Sequence, residues 1–300
     1  MNFYKKIIRN PETRYKLLDF LECIPDSTMV KGQYRIKTGN KLNLKNPKRY
    51  TEKVQWYKLN YHDPLITRCS DKYTVRSYVE SKGLSDYLNE LYAVYDCVED
   101  IDFKNLPSSF AIKMTTGSGT NIFVSDKSKM DENSIRMQLK EWMDRSKKSY
   151  GREWGYYNCT RRIIVEKLIE KDVNNDLPDY KFFCFNGKVH CLYTMIDYTD
   201  NHENGKLGFY DKNFNLLPFR RADYGEINRE IPKPINFEKM VEVAEILSEG
   251  IPHVRVDFYN VGGKIIFGEM TFYNASGYTK FIPDEYDFVL GDQFILPEKK

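Results

Sequence analysis

The sequence predicts an α+β fold, with a mostly helical amino-terminal region over residues 1–90 and a strand-rich region over 91–295. Three observations carry that expectation. Apolar residues recur at helical spacing up to about Lys82; from Tyr92 onward short runs rich in Val, Ile, Phe and Tyr alternate with turns; and the carboxy-terminal half holds two β-hairpin patterns.

Taken in order, residues 1–25 carry helical spacing (Tyr15, Leu17, Leu18, Phe20, Leu21) that breaks at Ile24-Pro25. The polar stretch KTGNKLNLKNPKRYTEK then runs into helical periodicity at Val54, Trp56, Tyr57 and Leu59, which Asp63-Pro64 ends. Ser70-Asp71 caps a helix through about Lys82, with Gly83 as its stop. An amphipathic helix fits Glu132 to Lys147, and RRIIVEKLI (161–169) reads as a buried strand. In YKFFCFNGKVHCLYTMI (180–196), Asn186-Gly187 supplies the two residues of a tight type I′ turn. A helix over Phe237 to Glu249 precedes the last hairpin, HVRVDFYNVGGKIIFGEMTFYN, which turns at Val261-Gly262-Gly263.

Composition excludes several classes. A chain of 300 residues, 41% hydrophobic and 30% charged, is large enough for a packed core and an enclosed site. No apolar run approaches the roughly 20 residues of a membrane helix. The start, MNFYKKIIRNPE, lacks the apolar core of a signal peptide, so a cytoplasmic chain is expected. With 46 basic against 43 acidic residues, no nucleic-acid partner is expected from bulk electrostatics. The six cysteines form no C-x-x-C pair, which points to reduced, packed thiols and away from zinc. Twenty-three tyrosines and 18 phenylalanines suit strands and clefts for flat or sugar rings.

Four stretches could carry chemistry. In the last hairpin Arg255 and Asp257 alternate with Val254, Val256 and Phe258, and on the return strand Ile266, Met270 and Phe272 are expected on the core side, opposite in facing to Glu269 and Thr271. A three-residue loop pairing Asn260 with Lys264 would put Arg255 opposite Glu269, with Asp257 one pair away. Two carboxylates that close repel unless a cation joins them, and Mg²⁺ takes oxygen ligands of this kind; Asn274 could complete the set. A surface Arg255–Glu269 pair fits the same residues. FAIKMTTGSGTNIFVSD (110–126) places Lys113 at a strand end before Gly117-Ser118-Gly119-Thr120, an arrangement able to surround a phosphate and equally able to be a plain hairpin turn. Glu166-Lys167 interrupts an apolar strand that continues to Leu168-Ile169, offering a carboxylate and backbone amides to a purine, or simply forming an edge strand. Lys72 and Arg76 are four apart near a predicted helix start, where an anion or plain solvent could meet them.

The order D-K-x-x-x-R, I-K-x-x-x-G-S-G, V-E-K-L-I, R-x-D, G-E-x-T resembles the ATP-grasp superfamily, and specifically its TupA-like (teichuronopeptide-biosynthesis) branch. The branch resemblance includes Leu42-Asn43-Leu44-Lys45-Asn46-Pro47, Glu52-Lys53-Val54-Gln55-Trp56, Leu106-Pro107, residues 180–187 and Val254-Arg255-Val256-Asp257-Phe258-Tyr259, and it covers about residues 20 to 285. It implies an ATP-grasp fold with the nucleotide held between two α+β lobes, about 91–160 and 161–295.

It also implies site roles. Lys72 and Lys113 would contact ATP phosphates beneath the Gly117, Ser118, Gly119, Thr120 loop; Glu166, Lys167, Leu168 and Ile169 would hold adenine; and Asp179 or Glu170 would take the ribose, with Lys181 beside the nucleotide. Asp257 and Glu269 would bind one or two Mg²⁺ ions, with Mn²⁺ able to substitute. Thr271 stands where the superfamily commonly has asparagine, which makes Thr271 and Asn274 the candidates for a further ligand. Arg255, with Lys72 and Lys113, would steady the transferring phosphoryl group. Arg76 and Lys53 are candidate substrate contacts.

The activity so implied is an ATP-dependent carboxylate–amine ligase working through an acyl-phosphate. It would attach an amino acid or amine to a uronic acid of a bacterial capsular polysaccharide or its precursor, with transient association with a membrane-bound assembly complex compatible. The alternatives are a sugar-nucleotide glycosyltransferase using Asp100-Ile101-Asp102 as a D-x-D metal motif, a simple kinase, and a non-catalytic nucleotide-binding scaffold. Hydrolase chemistry has little support, since His62, His190, His202 and His253 lie beside no nucleophile motif.

Overall fold

The computed structural model describes residues 17, 19–145, 150–172, 175–197, 205–227 and 229–300. Tyr15, Leu18, Lys147 and His202 lie outside these residues, as does most of the helix expected over 1–25.

Four α-helices follow the 3-10 turn at Leu21–Cys23. Helix α1 (Asp26–Thr38) follows Pro25 and buries Met29, Val30 and Tyr34. In α2 (Tyr50–Asn60), Glu52 accepts hydrogen bonds from the backbone N–H groups of Asn43, Lys48 and Arg49, which folds the Lys45–Arg49 stretch around the helix start. Asp63-Pro64 both stops α2 and starts α3 (Pro64–Ser70), because the Asp63 carboxylate accepts from Leu65 N–H and proline suits the first helical position. Asp71 Oδ1 accepts from Tyr73 and Thr74 N–H at 2.8 and 2.9 Å and thereby starts α4 (Thr74–Ser81). The helix begins later than the spacing predicts. Lys72 therefore lies in the preceding turn, while Arg76 is helical.

The next unit is a four-stranded antiparallel sheet built from β1 (Leu91–Tyr95), β2 (Phe110–Met114), β3 (Asn121–Val124) and, after helix α5 (Glu132–Asp144), β4 (Ile163–Glu166). Its order is β1-β4-β2-β3, so the strand read in RRIIVEKLI is central and shorter than expected. Ile135, Leu139 and Trp142 of α5 share a core with Phe110, Ile112, Met114, Ile163 and Val165. Alternation then turns Lys113 and Glu166 to the opposite face.

A six-stranded sheet follows, formed by β5 (Asp179–Phe185), β6 (Lys188–Ile196), β7 (Lys206–Asp211), β9 (Gly225–Glu226), β10 (His253–Val261) and β11 (Lys264–Thr271) in the order β11-β10-β5-β6-β7-β9. The two-residue strand β8 (Arg220–Arg221) pairs instead with β12 (Phe281–Ile282). Helix α6 (Phe237–Ser248) covers one face of the large sheet with Phe237, Met240, Val243, Ala244 and Leu247. The opposite face is covered at one end by α2 and by α7 (Tyr286–Gln293), with Tyr50 packed against Phe183, Phe185, His253 and Phe281.

Asn186 and Gly187 both have positive φ, as the predicted type I′ turn requires. The last hairpin departs from its expected register. Val261 pairs with Lys264 across a two-residue Gly262-Gly263 turn, and a bulge at Gly268 shifts the strand by one residue. Arg255 therefore faces Thr271, and Asp257 faces Glu269 directly. The same shift puts Phe267 opposite Phe258 in the core and sets Ile266 opposite Tyr259, on the carboxylate side rather than the expected core side. Glycine suits position 268, because a Cβ there would lie a tight 3.1 Å from the Asp257 carbonyl oxygen.

The six cysteines are free thiols, three of them buried. Among the described residues no helix is long and apolar enough to cross a membrane.

Candidate active site

Cross-strand register assembles the site. Glu269, Asp257, Lys181 and Tyr193 are successive partners on β11, β10, β5 and β6, so all four side chains rise from one face of the large sheet. Arg255 and Thr271 form the adjacent row.

Arg255 holds these rows together. Its Nε and Nη2 donate to the two oxygens of Asp257 at 2.7 and 2.6 Å. Nη2 also reaches Glu269 Oε1 at 3.3 Å and Thr271 Oγ1 at 3.0 Å. Nη1 donates to Tyr193 Oη at 3.1 Å and to Asn274 Oδ1 at 2.5 Å. Lys181 Nζ lies 2.8 Å from Asp257 Oδ2 and also pairs with Asp179. Arg255 and Asp257 are only 6% and 2% exposed, so their charges are balanced by one another rather than by water.

The charges set one another's protonation. Enclosure would raise the Glu269 carboxyl, but Lys72, Arg255 and Lys181 outweigh it and hold the group at about 2. Burial works against protonated Lys181 and Arg255, yet Asp179 and Asp257 raise the first and Asp257 raises the second, so both stay charged. Burial also lowers Lys72, with Glu269 opposing it.

The small sheet supplies a second set of charges. Lys113 Nζ is 2.8 Å from Glu166 Oε2, and Arg76 Nη1 is 3.4 Å from Glu166 Oε1. The Glu166 carboxylate is thus gripped by two cations. Lys167 N–H donates to the Glu90 carbonyl at 2.9 Å, and its carbonyl accepts from Asn89 Nδ2, which fixes the chain entering half-buried Leu168 and Ile169; Glu170 is exposed.

Lys72 joins the two sheets. Its Nζ donates to the Gly117 carbonyl at 2.7 Å and lies 3.9 Å from Glu269 Oε2, while its backbone N–H donates to the Thr115 carbonyl at 2.8 Å. The glycine loop between β2 and β3 is therefore tied to the carboxylates of the large sheet. Gly117 and Gly119 both adopt left-handed φ values of 81° and 72°, with Ser118 exposed between them. Thr120 is buried with its hydroxyl unpartnered, as is the second oxygen of Asp71.

The donor chemistry at Asp257 and Glu269 fits a hard divalent cation such as Mg²⁺, with Thr271 Oγ1 3.1 Å from Glu269 Oε1 alongside. Among the described residues no group of three or more His, Cys, Asp or Glu is placed to hold a metal ion. Asn274 stands differently. Its oxygen accepts from Arg255, and its fully buried Nδ2 has no partner, so it presents a donor.

Lys53 is not brought to the cluster. Its ammonium donates to the carbonyls of Gly291 and Phe294, clamping α7 onto α2. Asp100 accepts from Cys97, and Asp102 caps the Phe103–Asn105 turn through Lys104 and Asn105 N–H, so the D-x-D carboxylates make local contacts on an exposed turn. His253 is buried between Tyr50 Oη and the Cys184 carbonyl.

Two participants escaped sequence reading: Tyr193, beside Arg255, and Arg221, whose Nη1 is 3.5 Å from Tyr193 Oη. Alternation along β6 was the available signal for Tyr193. A second bulge, between Phe183 and Cys184, moves it into register with Lys181. Arg221 gives no local sign.

Comparison with solved structures finds D-alanine–D-alanine ligase from Bacillus anthracis (16% identity, TM-score 0.41, covering 68% of this chain and 57% of that one) and the corresponding Helicobacter pylori enzyme (13%, 0.40, 76% and 61%). The ATP-grasp ligase PsnB, complexed with a phosphomimetic variant of its minimal precursor, Mg and ADP, matches at 11% identity and TM-score 0.40 over 82% of this chain and 66% of that one. The chain thus spans about 57 to 66% of the length of these proteins. No curated protein matches. The family model for TupA-like ATP-grasp proteins matches residues 52–295, most of the chain including both sheets, and the protein therefore belongs to the TupA-like ATP-grasp family.

Proposed function

We propose that this protein is an ATP-dependent carboxylate–amine ligase that acts through an acyl-phosphate in the cytoplasm, joining an amino acid or amine to a uronic acid of a surface polysaccharide or its precursor. The observation that carries the reading is the reach of Lys72 from the glycine loop to Glu269, which brings the cations of one sheet to the carboxylates of the other. In this reading the small-sheet lobe and the large-sheet lobe close on the nucleotide, with the boundary falling after β4 (Ile163–Glu166) rather than at residue 160 as expected, because β4 is a central strand of the small sheet; the 1–90 region contributes Lys72 and Arg76.

Two anions must meet when a carboxylate takes a phosphoryl group, and water must not intercept the product. Lys72 and Lys113 bind the phosphates, and the 117–120 loop, anchored by Lys72, covers them. Glu166 holds Lys113 and Arg76 in place from below, and the backbone of 167–169 faces the base. Asp179 and Lys181 flank the ribose side. Asp257 and Glu269 would hold Mg²⁺, which supplies charge neutralisation at the transferring phosphoryl group. Arg255, fixed by six polar contacts to Asp257, Glu269, Thr271, Tyr193 and Asn274, steadies the transferring phosphoryl group. The saccharide acceptor is supported by the branch resemblance and by the aromatic load. Glycosyl transfer has less support, because Asp100 and Asp102 lie on an exposed turn and make only local contacts there.

Screening uronic acids against amines and amino acids with Mg-ATP, with ADP release and product mass as readouts, tests the reading. ADP release that requires both acid and amine supports it. A stable phosphorylated acid formed without amine would make the protein a kinase instead.

A further inference from the structure

Arg221 is a second guanidinium at this centre. It is 7% exposed, fixed by the pairing of β8 with β12 and by the Ala222 N–H bond to the Lys280 carbonyl, and it lies over the rings of Tyr193 and Tyr224 at 5.8 and 5.0 Å. Its Nη1 shares the Tyr193 hydroxyl with Arg255 Nη1, at 3.5 and 3.1 Å. The opposite edge is a fork: Nε and Nη2 donate to Asp223 Oδ1 and Oδ2 at 3.0 and 2.7 Å. Asp223 sits in a turn two residues along, and its side chain is 57% exposed.

An arginine nearly buried on a short paired strand, facing a largely exposed carboxylate, is an uneven pair. The guanidinium has little water to return to, whereas the Asp223 carboxylate loses little by swinging out. On the other side of Tyr193 from the fork, Asn274 Nδ2 is fully buried and lacks an acceptor, while Tyr193 Oη donates to the Asn274 oxygen at 3.4 Å. A donor left unpaired in such a place costs free energy unless a ligand oxygen meets it.

We propose that the Arg221 fork is the docking point for a carboxylate of the substrate and that Asp223 occupies that seat in the free protein. The substrate class is an anionic acid whose carboxylate takes the bidentate grip now given to Asp223. This rests on the ligase reading for its chemistry, since it names where the acid enters beside Arg255. A purely structural Arg221–Asp223 clip makes the opposite forecast for Asp223: neutralising it would loosen the turn and improve no binding.

The test uses trifluoroacetate as a bare carboxylate probe, titrated onto the full-length protein with Mg-ADP present and followed by ¹⁹F NMR. Wild type should bind saturably, Asp223→Asn should bind about tenfold tighter because the internal competitor is neutralised, and Arg221→Gln should bind at least about thirtyfold more weakly. Arg221→Lys, which keeps the charge without the fork, should fall between and guards against a folding failure in the glutamine variant. Unchanged binding in both Arg221 variants, weaker binding in Asp223→Asn, or no saturable binding in wild type and Asp223→Asn overturns the proposal. The ligase reading is judged separately by acid- and amine-dependent ADP release, so carboxylate binding without such release would sink that reading and leave this one standing.

Discussion

Asp257 and Glu269 stand directly opposite each other on neighbouring strands, and one guanidinium, that of Arg255, reaches both. Two carboxylates in that relation are tolerated because cations compensate them on every side. Asp257→Asn should therefore act in two ways. ADP release should fall by about a hundredfold or more, a change that added Mg²⁺ does not restore. Unfolding by urea should show a loss of a few kcal/mol, on the order of that for breaking one member of a buried charge network. Full activity in a folded Asp257→Asn protein would contradict the metal assignment.

Lys113→Ala removes one of the two cations on Glu166 and the proposed phosphate contact. The KM for ATP should rise about 10- to 100-fold, the usual range for a lost charge-assisted hydrogen bond. Glu166→Gln should give a smaller rise, because it frees Lys113 without removing it. Steady-state kinetics at varied ATP separates the two.

His253 is fully buried, and burial, with Arg255 nearby, pushes its imidazole down to about 3, against the favourable Cys184 carbonyl contact. The unfolded chain binds a proton near the ordinary histidine value of about 6.5, whereas the folded chain does not. Between those values the unfolded state holds the extra proton, so stability declines as pH falls, by about 3 kcal/mol from this residue at about pH 4. Urea midpoints measured across that window should slope less in His253→Asn than in wild type. Equal slopes would remove His253 as the cause.

Gly291 lies where α7 meets the start of α2: a Cβ there would fall 2.1 Å from the Lys48 carbonyl oxygen and 2.8 Å from Tyr50 N. Gly291→Ala should cost about 2–3 kcal/mol of stability through forced backbone movement. Thermal melting measures it. Neither Lys48 nor Tyr50 is among the proposed nucleotide contacts, so nucleotide affinity in the surviving folded protein should be little changed.

Much of the fold was legible because local rules agreed with the global outcome. Asn186-Gly187 could hardly be anything but a hairpin turn, and the alternation Val254, Arg255, Val256, Asp257 gave the correct faces of β10. What failed was counting along strands from a turn. Bulges at Gly268 and beside Phe183 each insert a residue that alternation cannot reveal, so Asp257 met Glu269 and Lys181 met Tyr193 one place away from where a regular ladder would put them. Asp63-Pro64 was read as a stop, although the same two residues are also a good helix start. Long-range pairings were out of reach altogether. Nothing near Glu166 announces that Lys113 and Arg76, 53 and 90 residues away, will close on it, and nothing near Lys53 announces the carbonyls of α7.

The central claim is that the two sheets grip one metal-bound triphosphate. A crystal grown with a non-hydrolysable ATP analogue and Mn²⁺ tests it most directly, because anomalous scattering locates the ion itself. The account predicts Mn²⁺ bonded to oxygens of Asp257 and Glu269, with Lys72 and Lys113 on the phosphates. An ion that touches neither carboxylate, or a nucleotide seated away from Lys113, would contradict it.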